Sequence, residues 1–368
     1  MTSLRPRRSQ KKAVLAIQGG GAQAAFAAGA WRVLARWLRE HEIGLAGVGG
    51  ASAGAWNAAL IARHWHEQDH GSSALERFWQ DIAVPSAIFL PPASELFRSW
   101  NGFLSGFLLG NRNLFLPNVL VAHAGTMPAL YNHSPMLATF ARLIGDCSRA
   151  SGAPVLVVKA VDAQTGMPVA FDNRRSPITS VHLKASASIP LLFPATRVGD
   201  RLYWDGDFAR RSVLDDVIEA ARDDVAPGTA LLGILIEPFP HHADVPATTL
   251  GMSFALLAGL LSGKGEDDSY LHQSRKAHAD FVRRAHELVG DNADPELSRL
   301  VNDEHRRLSQ QERNTSILRI TRTAGPYDHI SRDFDYSPER IAALIRQGEA
   351  AAEKALAAPA PTRHVSYA

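Results

Sequence analysis

The stretch Gly50-Ala51-Ser52-Ala53-Gly54 decides the fold of this chain, because it places a serine where a predicted strand meets a predicted helix. Residues 44–49 are small and apolar, which predicts a short strand, and residues 55–63 are rich in helix formers. A serine at such a sharp turn fits the nucleophile-elbow pattern, in which the flanking glycines allow close backbone approach. Orphan N–H groups and the helix dipole would favour the alkoxide that forms when Ser52 reacts.

A second glycine-rich element, Gly19-Gly20-Gly21-Ala22, lies upstream of the serine. Residues 13–17 predict a buried strand before it, and residues 24–37 predict a helix after it. Backbone N–H groups at such a strand-to-helix turn converge on an anion. We therefore expect this backbone to form the oxyanion hole that stabilises the tetrahedral intermediate of acyl transfer.

The same segment also satisfies a dinucleotide-binding fingerprint, Gly19-x-Gly21-x-x-Ala24, with a strand before and a helix after. A dinucleotide-binding oxidoreductase therefore remains a remote alternative. That fingerprint expects an acidic residue at the end of the second strand, whereas here the second strand runs straight into the serine turn. Glu40 and Glu42 both precede that strand.

A serine nucleophile needs a base, and the segment Tyr203-Trp204-Asp205-Gly206-Asp207 offers one. Residues 201–204 predict a strand, and Gly206 provides a turn that leaves the Asp205 carboxylate at the strand end. A sufficiently buried carboxylate can accept the serine proton. The alternative is a turn aspartate whose side chain caps local backbone, which is the commoner role of an Asp-Gly pair.

A histidine-containing triad fits the chain less well. An α/β-hydrolase places its nucleophile after several strands, whereas only two predicted strands precede Ser52. Most of the 15 histidines lie in charged or polar stretches that are typical of a solvated surface. We therefore expect a Ser-Asp pair, and histidine substitutions would discriminate between the two mechanisms.

Together, the glycine-rich turn, the serine elbow and the Asp-Gly turn resemble the patatin-like phospholipase family over about residues 13–220. The resemblance implies a three-layer α/β/α fold with a mostly parallel central sheet. It assigns Ser52 as nucleophile, Asp205 as base and Gly19-Gly20-Gly21 as the oxyanion loop. It further implies a lipid substrate, hydrolysis through an acyl-serine intermediate, and no cofactor or metal. Residues 314–330 and 333–356 resemble an extension found in some bacterial members.

Three residues depart from the family pattern: Gln23 replaces a basic residue, Ala24 replaces a glycine, and Asp207 replaces a glycine or alanine. Gln23 can donate a hydrogen bond but cannot supply positive charge. Asp207 adds a second carboxylate close to Asp205, and a like charge facing the same site would raise one pKa. These departures keep a second hypothesis open, namely a catalytically weak patatin-like binding or regulatory protein.

Composition bounds the function further. A chain of 368 residues can bury a substantial core, and its single cysteine, Cys147, excludes an intramolecular disulfide framework and slightly favours the cytosol. The 39 basic and 37 acidic residues give no global field for nucleic acid, so we expect no nucleic-acid partner. Neither internal repeats nor metal-ligand spacing is evident, and oligomeric state stays open.

The chain divides into a basic arm at residues 1–12, a catalytic core at 13–225, a C-terminal part at 226–356 packed on the core, and a flexible tail at 357–368. The arm lacks the continuous apolar run of a signal peptide. It suits either a disordered segment or attraction to anionic lipid. We therefore expect a cytoplasmic protein that can contact the inner membrane face.

Two apolar segments bear on substrate access. Residues 97–108 carry aromatic side chains at helical spacing, and residues 250–261 form a similar stretch. Neither reaches the roughly twenty apolar residues that span a bilayer. Both suit either core packing or an interfacial or lid role, and the first segment suits an interface better because of its aromatic residues.

Overall fold

The fold is known from a computed structural model with a three-layer α/β/α arrangement, in which helices cover both faces of a mostly parallel sheet. The structure describes residues 11–91, 93–118, 129–209, 212–226, 229–239, 278, 281–289, 294–312, 315–325, 327–328 and 333–357. The fold class predicted from the sequence is confirmed.

Among the described residues, eight strands form the central sheet, and the hydrogen-bonded path through it runs β10-β9-β1-β2-β5-β8-β7, with β6 also paired to β5. Pairs among β1, β2, β5, β9 and β10 are parallel, whereas β6, β7 and β8 run antiparallel to their neighbours. A separate hairpin pairs β3 with β4. The strands are β1 (Lys12–Ile17), β2 (Gly44–Ala51), β3 (Leu116–Pro117), β4 (Tyr131–Asn132), β5 (Val155–Asp162), β6 (Pro168–Asp172), β7 (Thr196–Val198), β8 (Arg201–Asp205), β9 (Leu231–Glu237) and β10 (Thr315–Thr321).

Helices and strands alternate at the start of the chain and again from β8 onwards, as is typical of α/β proteins, whereas three helices follow β2 in succession. They are α1 (Phe26–Glu40), α2 (Ala53–Arg63), α3 (Ser72–Ile82), α4 (Glu95–Leu104), α5 (Pro135–Leu143), α6 (Ser180–Ala185), α7 (Val213–Ala221), α8 (Pro295–Glu312) and α9 (Pro338–Ala357). A 3₁₀ turn at Gly21–Ala25 precedes α1, and a π turn at Ser105–Leu109 follows α4.

Side chains of β1 show how the sheet is covered on both faces. Because successive strand residues point to opposite faces, Ala13, Leu15 and Ile17 join the core beneath α1, α2 and α9, while Val14 and Ala16 join the core beneath α7. All five are fully buried. A parallel strand buried on both faces reads as a continuous apolar run, which is what the sequence shows.

The C-terminal part contributes strands to the same sheet as the core. β9 pairs with β1, and β10 pairs with β9. Helix α9 crosses α1 so closely that a Cβ added at Gly29 would overlap the carbonyl oxygen of Ile345, and one added at Gly348 would overlap that of Phe26. The core and the C-terminal part therefore share one sheet and pack together through α1 and α9.

The aromatic segment near residue 100 divides between core and surface. Phe103 is buried and stacks on Phe107 with ring centroids 5.4 Å apart, and both contact Phe334 edge-on. Trp100 is half-buried, whereas Leu108 is 49% exposed. Among the described residues, no helix has both the length and the apolarity needed to cross a membrane. The second apolar segment, residues 250–261, lies outside the described residues, as do most of the basic arm and the tail.

Candidate active site

Ser52 occupies a sharp turn between β2, which ends at Ala51, and α2, which begins at Ala53. Its backbone has φ 51° and ψ −134°, a strained conformation for a residue other than glycine. Such strain persists only where the surroundings fix it. Here the Ser52 N–H donates to the carbonyl oxygen and to Oγ of Ser186, each at 3.0 Å.

The glycines of the pentapeptide allow this turn by permitting close backbone contact. A Cβ added at Gly54 would overlap the carbonyl oxygen of Ile17 at the end of β1, and one added at Gly50 would overlap the backbone of Gly54. Helix α2 therefore begins against the carboxyl ends of β1 and β2. In open α/β sheets, this edge is where ligands bind.

Asp205 lies at the end of β8, beside the serine turn. One edge of β5 pairs with β6, which places Val169 opposite Ala160. Asp205 of β8 is also paired with Ala160. A strand has only two edges, so β8 lies along the edge of β5 that β6 does not occupy. β2 pairs along that same edge and ends opposite the preceding residue of β5. The ends of β2 and β8 thus meet there, which brings Ser52 and Asp205 together.

A short loop after α6 connects the two strand ends. The carbonyl oxygen of Ser186 accepts the N–H of Ser52 at 3.0 Å and the N–H of Gly206 at 3.2 Å. The carbonyl oxygen of Ser188 accepts the N–H of Asp205 at 3.0 Å. Both candidate catalytic residues are almost fully buried, with 4% exposure for Ser52 and 1% for Asp205. Their backbones are therefore held in one hydrogen-bonded frame.

A buried histidine, His133, contacts this loop through side-chain hydrogen bonds. His133 Nε2 lies 3.0 Å from Ser188 Oγ and 3.2 Å from Thr196 Oγ1, and its ring stacks on Phe193. Burial, helped by the positive charge of Lys184, lowers the pKa of His133 to about 3. The ring is neutral at ordinary pH and hydrogen-bonds to the supporting loop, so it fits a structural role.

The glycine-rich turn adjoins the serine. A Cβ added at Gly19 would lie 2.5 Å from Ser52 Cβ and closer still to a carboxylate oxygen of Asp207. Asp207 is thus a neighbour of Ser52 across Gly19, and its N–H donates to Asp205 Oδ1 at 2.7 Å. Gly20 has φ 138°, a conformation that L residues rarely adopt, and it packs against Phe239.

Ala22 differs from the other residues predicted to form the oxyanion hole. Its N–H donates to the carbonyl oxygen of Asp333 at 3.2 Å, so in this conformation it is already engaged. Among the described residues, no carbonyl oxygen accepts a hydrogen bond from the N–H groups of Gly19 or Gly20. The candidate donors are therefore Gly19, which lies beside Ser52, and Gly20, which follows it.

The comparisons with known proteins show the family of this chain. Residues 15–217, more than half of the chain, match the family described as patatin-like phospholipase. The chain belongs to the patatin-like phospholipase family. Residues 269–367 match a second family, described as patatin phospholipase. This membership supports lipid acyl hydrolase activity in general.

Other comparisons add little. The crystal structure of VipD from Legionella pneumophila is similar to this chain at 13% identity and a TM-score of 0.35, covering 95% of this chain and 67% of VipD. No curated protein is significantly similar in sequence to the chain described here.

The departure of this patatin-like protein at Gln23 has a structural counterpart. Gln23 Oε1 accepts a hydrogen bond from Arg322 Nη2 at 2.6 Å, and Gln23 Nε2 donates to Asp333 Oδ1 at 3.0 Å. Arg322 directly follows β10, and its Nη1 pairs with Asp328 at 2.6 Å. A guanidinium group from the C-terminal part therefore contacts the side chain of Gln23, the residue at which the resemblance leads us to expect a basic side chain.

Charges around Arg322 are paired. Burial lowers the pKa of Arg322 and the Asp328 carboxylate opposes this, so the guanidinium keeps its charge. Burial alone would raise the pKa of Asp328, but Arg322 and Arg340 hold it below its usual value. Arg340 also hydrogen-bonds to Asp328.

Sequence reasoning missed Ser186, Ser188 and Arg322 as parts of the site. Their contacts span large separations: Arg322 lies 299 residues from Gln23, and Ser186 lies 134 residues from Ser52. The available signal for Ser186 and Ser188 was the run of small residues at 185–188, which precedes Asp205 in the sequence, and no local signal pointed to Arg322.

Proposed function

We propose that this protein is a serine lipid acyl hydrolase that cleaves fatty-acyl ester bonds of a phospholipid, lysophospholipid or related lipid through an acyl-serine intermediate. The observation that carries this proposal is the strained turn at Ser52, packed against the end of the strand that carries Asp205. A strained, non-glycine nucleophile at a strand-to-helix turn is the geometry of a nucleophile elbow.

In the proposed mechanism, Asp205 accepts the proton of the Ser52 hydroxyl as Ser52 Oγ attacks the acyl carbonyl carbon. Backbone N–H groups of Gly19 and Gly20 stabilise the resulting oxyanion. The tetrahedral intermediate collapses, and the alcohol leaves with the proton held by Asp205. Water, deprotonated by Asp205, then attacks the acyl-serine ester, and the fatty acid leaves as Ser52 regains its proton.

Among the described contacts, no direct hydrogen bond joins the Ser52 hydroxyl to Asp205. Catalytic hydrogen bonds often tighten only when the substrate complex forms. Asp207, the other carboxylate beside Ser52, therefore needs a direct comparison with Asp205. Its position next to Gly19 places negative charge near the proposed oxyanion hole.

We further propose that the enzyme works at a lipid surface, using exposed leucines near the site. Leu191 is 65% exposed and has φ 68°, an unfavourable conformation for leucine that burial does not offset. Its carbonyl oxygen accepts the N–H of Leu130, which is 47% exposed. The hydroxyl of the next residue, Tyr131, bonds to the carbonyl oxygen of Phe107, beside exposed Leu108. We call Leu108, Leu130 and Leu191 the apolar rim.

The decisive experiment combines fluorophosphonate labelling with hydrolysis of a soluble short-chain ester and of phospholipid vesicles. Wild-type protein should label and hydrolyse, and Ser52→Ala should do neither. Asp205→Asn should abolish turnover, because an amide cannot accept the proton, whereas Asp207→Asn is the matched control and should remain active. A folded wild-type protein that neither labels nor hydrolyses would favour the binding or regulatory protein. Loss of activity in Asp207→Asn alone would assign the base to Asp207.

A further inference from the structure

We propose that Arg322, contributed by the C-terminal part, is a positioning residue for the oxyanion loop, Gly19-Gly20-Gly21-Ala22, and acts on it through Gln23. This inference rests on the proposed acyl hydrolase function. It adds a requirement that the catalytic motifs alone do not contain, because it makes the C-terminal part necessary for the geometry of the site.

Arg322 is fixed on the C-terminal side by several hydrogen bonds. Its backbone N–H donates to the carbonyl oxygen of Glu237 at 3.0 Å, its Nε donates to that of Pro238 at 2.7 Å, and its Nη1 pairs with Asp328. The side chain is only 1% exposed. The planar guanidinium therefore has one orientation, and in that orientation Nη2 points at Gln23.

Gln23 passes this constraint to the loop. It lies in the 3₁₀ turn that begins at Gly21 and is 3% exposed. Its backbone N–H donates to the carbonyl oxygen of Gly20 at 2.9 Å, which fixes the peptide that follows Gly20. A shift of Gln23 would therefore shift the segment whose N–H groups are proposed to bind the oxyanion.

Asp333 holds the other side of the same turn. Its Oδ1 accepts from Gln23 Nε2, and its carbonyl oxygen accepts from Ala22 N. A Cβ added at Gly21 would lie 2.7 Å from both Cβ and the carbonyl oxygen of Asp333, so this segment packs directly on the turn. Two segments of the C-terminal part thus clamp the loop, and Gln23 contacts both of them.

A buried ion pair can also serve stability alone, so the test needs a measurement that stability does not control. Removal of Gln23 should displace donors that matter mainly in the transition state, and this lowers kcat while leaving KM nearly unchanged. A trifluoromethyl ketone that forms a tetrahedral adduct with Ser52 reports on the same donors. Its affinity should fall with kcat.

The experiment measures kcat, KM, adduct affinity and urea unfolding for the full-length protein and three variants. Gln23→Leu removes the contact and leaves the bonds of Arg322 to Asp328 and Pro238 in place. Arg322→Gln removes the guanidinium. Arg319→Gln is the matched control, because Arg319 lies on β10 and pairs with Glu237 at 2.8 Å without reaching Gln23. We expect about a tenfold or greater loss of kcat and adduct affinity for the first two variants, and wild-type values for the control.

Each outcome decides the matter. If Arg322→Gln does not fold, Gln23→Leu still tests the link. If Gln23→Leu keeps wild-type kcat and adduct affinity, or if Arg319→Gln loses as much as the other two, the positioning role is wrong. In both cases the wild type and Ser52→Ala still report separately on the hydrolase, so failure of this inference is distinguishable from failure of the proposed function.

Discussion

Gly19→Ala is the most direct probe of the distance between the oxyanion loop and the nucleophile. The added methyl carbon would lie 2.5 Å from Ser52 Cβ, whereas ordinary contacts begin near 3.4 Å. The same carbon would overlap the Asp207 carboxylate. The substitution therefore requires a relative displacement of about 1 Å between the loop and Ser52, and misplacement on this scale costs about 10²-fold in rate.

We expect kcat on a soluble ester to fall about 10²-fold, equivalent to about 2.7 kcal/mol of transition-state stabilisation. Labelling of Ser52 by a fluorophosphonate should slow to a similar degree. The matched control is Gly233→Ala on β9, where the added carbon would lie 3.4 Å from the Leu214 side chain, an ordinary contact. It should fold and react like the wild type.

Stability separates this effect from general damage. Urea unfolding of Gly19→Ala should retain a cooperative transition. The added methyl group would meet only the side chains of Asp207 and Ser52 and the carbonyl oxygen of Ala51, so the strain is confined to the site. A folded Gly19→Ala with wild-type kcat and labelling rate would refute the reasoning, because a working nucleophile could not then lie beside Gly19.

Three further predictions address the loop, the supporting histidine and the membrane. Gly20→Val should lower the rate of acyl transfer at least about 10²-fold, because Gly20 has φ 138° and the new side chain would meet Phe239. The purified wild type should bind no nicotinamide or flavin. Tight dinucleotide binding would overturn the hydrolase assignment. His133 has a pKa of about 3 in the folded protein, against an ordinary value of 6.5, so between these pH values the unfolded state binds one more proton than the folded state. The free energy of unfolding should therefore fall as the pH drops from about 6.5 towards 3, by up to about 1.4 kcal/mol per pH unit. Urea titrations of folded His133→Gln should show a shallower dependence on pH. Leu108→Ser combined with Leu191→Asn should lower activity on anionic vesicles more than on a soluble ester, and equal losses on both would contradict the proposed lipid surface.

Local signals predicted much of the fold. Residues 13–17 predicted β1, which spans Lys12–Ile17, and the elbow at Ser52 followed from one short motif between a strand and a helix. Such elements carry their information in a few neighbouring residues, through apolar runs, glycines and helix formers. The strands and helices that end at the site could therefore be predicted from local sequence alone.

The segment 97–108 shows a limit of local periodicity. Its spacing is helical and the segment is helical, but the helix type changes, because α4 ends at Leu104 and a π turn follows directly. At that point the Ser105 hydroxyl bonds to the carbonyl oxygen of Asn101, and Gly106 approaches Phe334 so closely that a Cβ would overlap its carbonyl oxygen. The deciding partner lies far along the chain, so spacing within the segment carries no information about it.

The hydrogen bonds around Ser186 support the part of our proposal in which the site works without a histidine. One carbonyl oxygen holds both the backbone N–H of Ser52 and that of Gly206, which follows the proposed base. These bonds fix the backbone at Asp205 relative to the backbone of Ser52, so our proposal needs no third side chain between the two residues. The nearby imidazole of His133 is neutral and bonded to Ser188 and Thr196. In the proposed mechanism, His133 therefore holds the loop, and proton transfer falls to Asp205, whose backbone the loop positions.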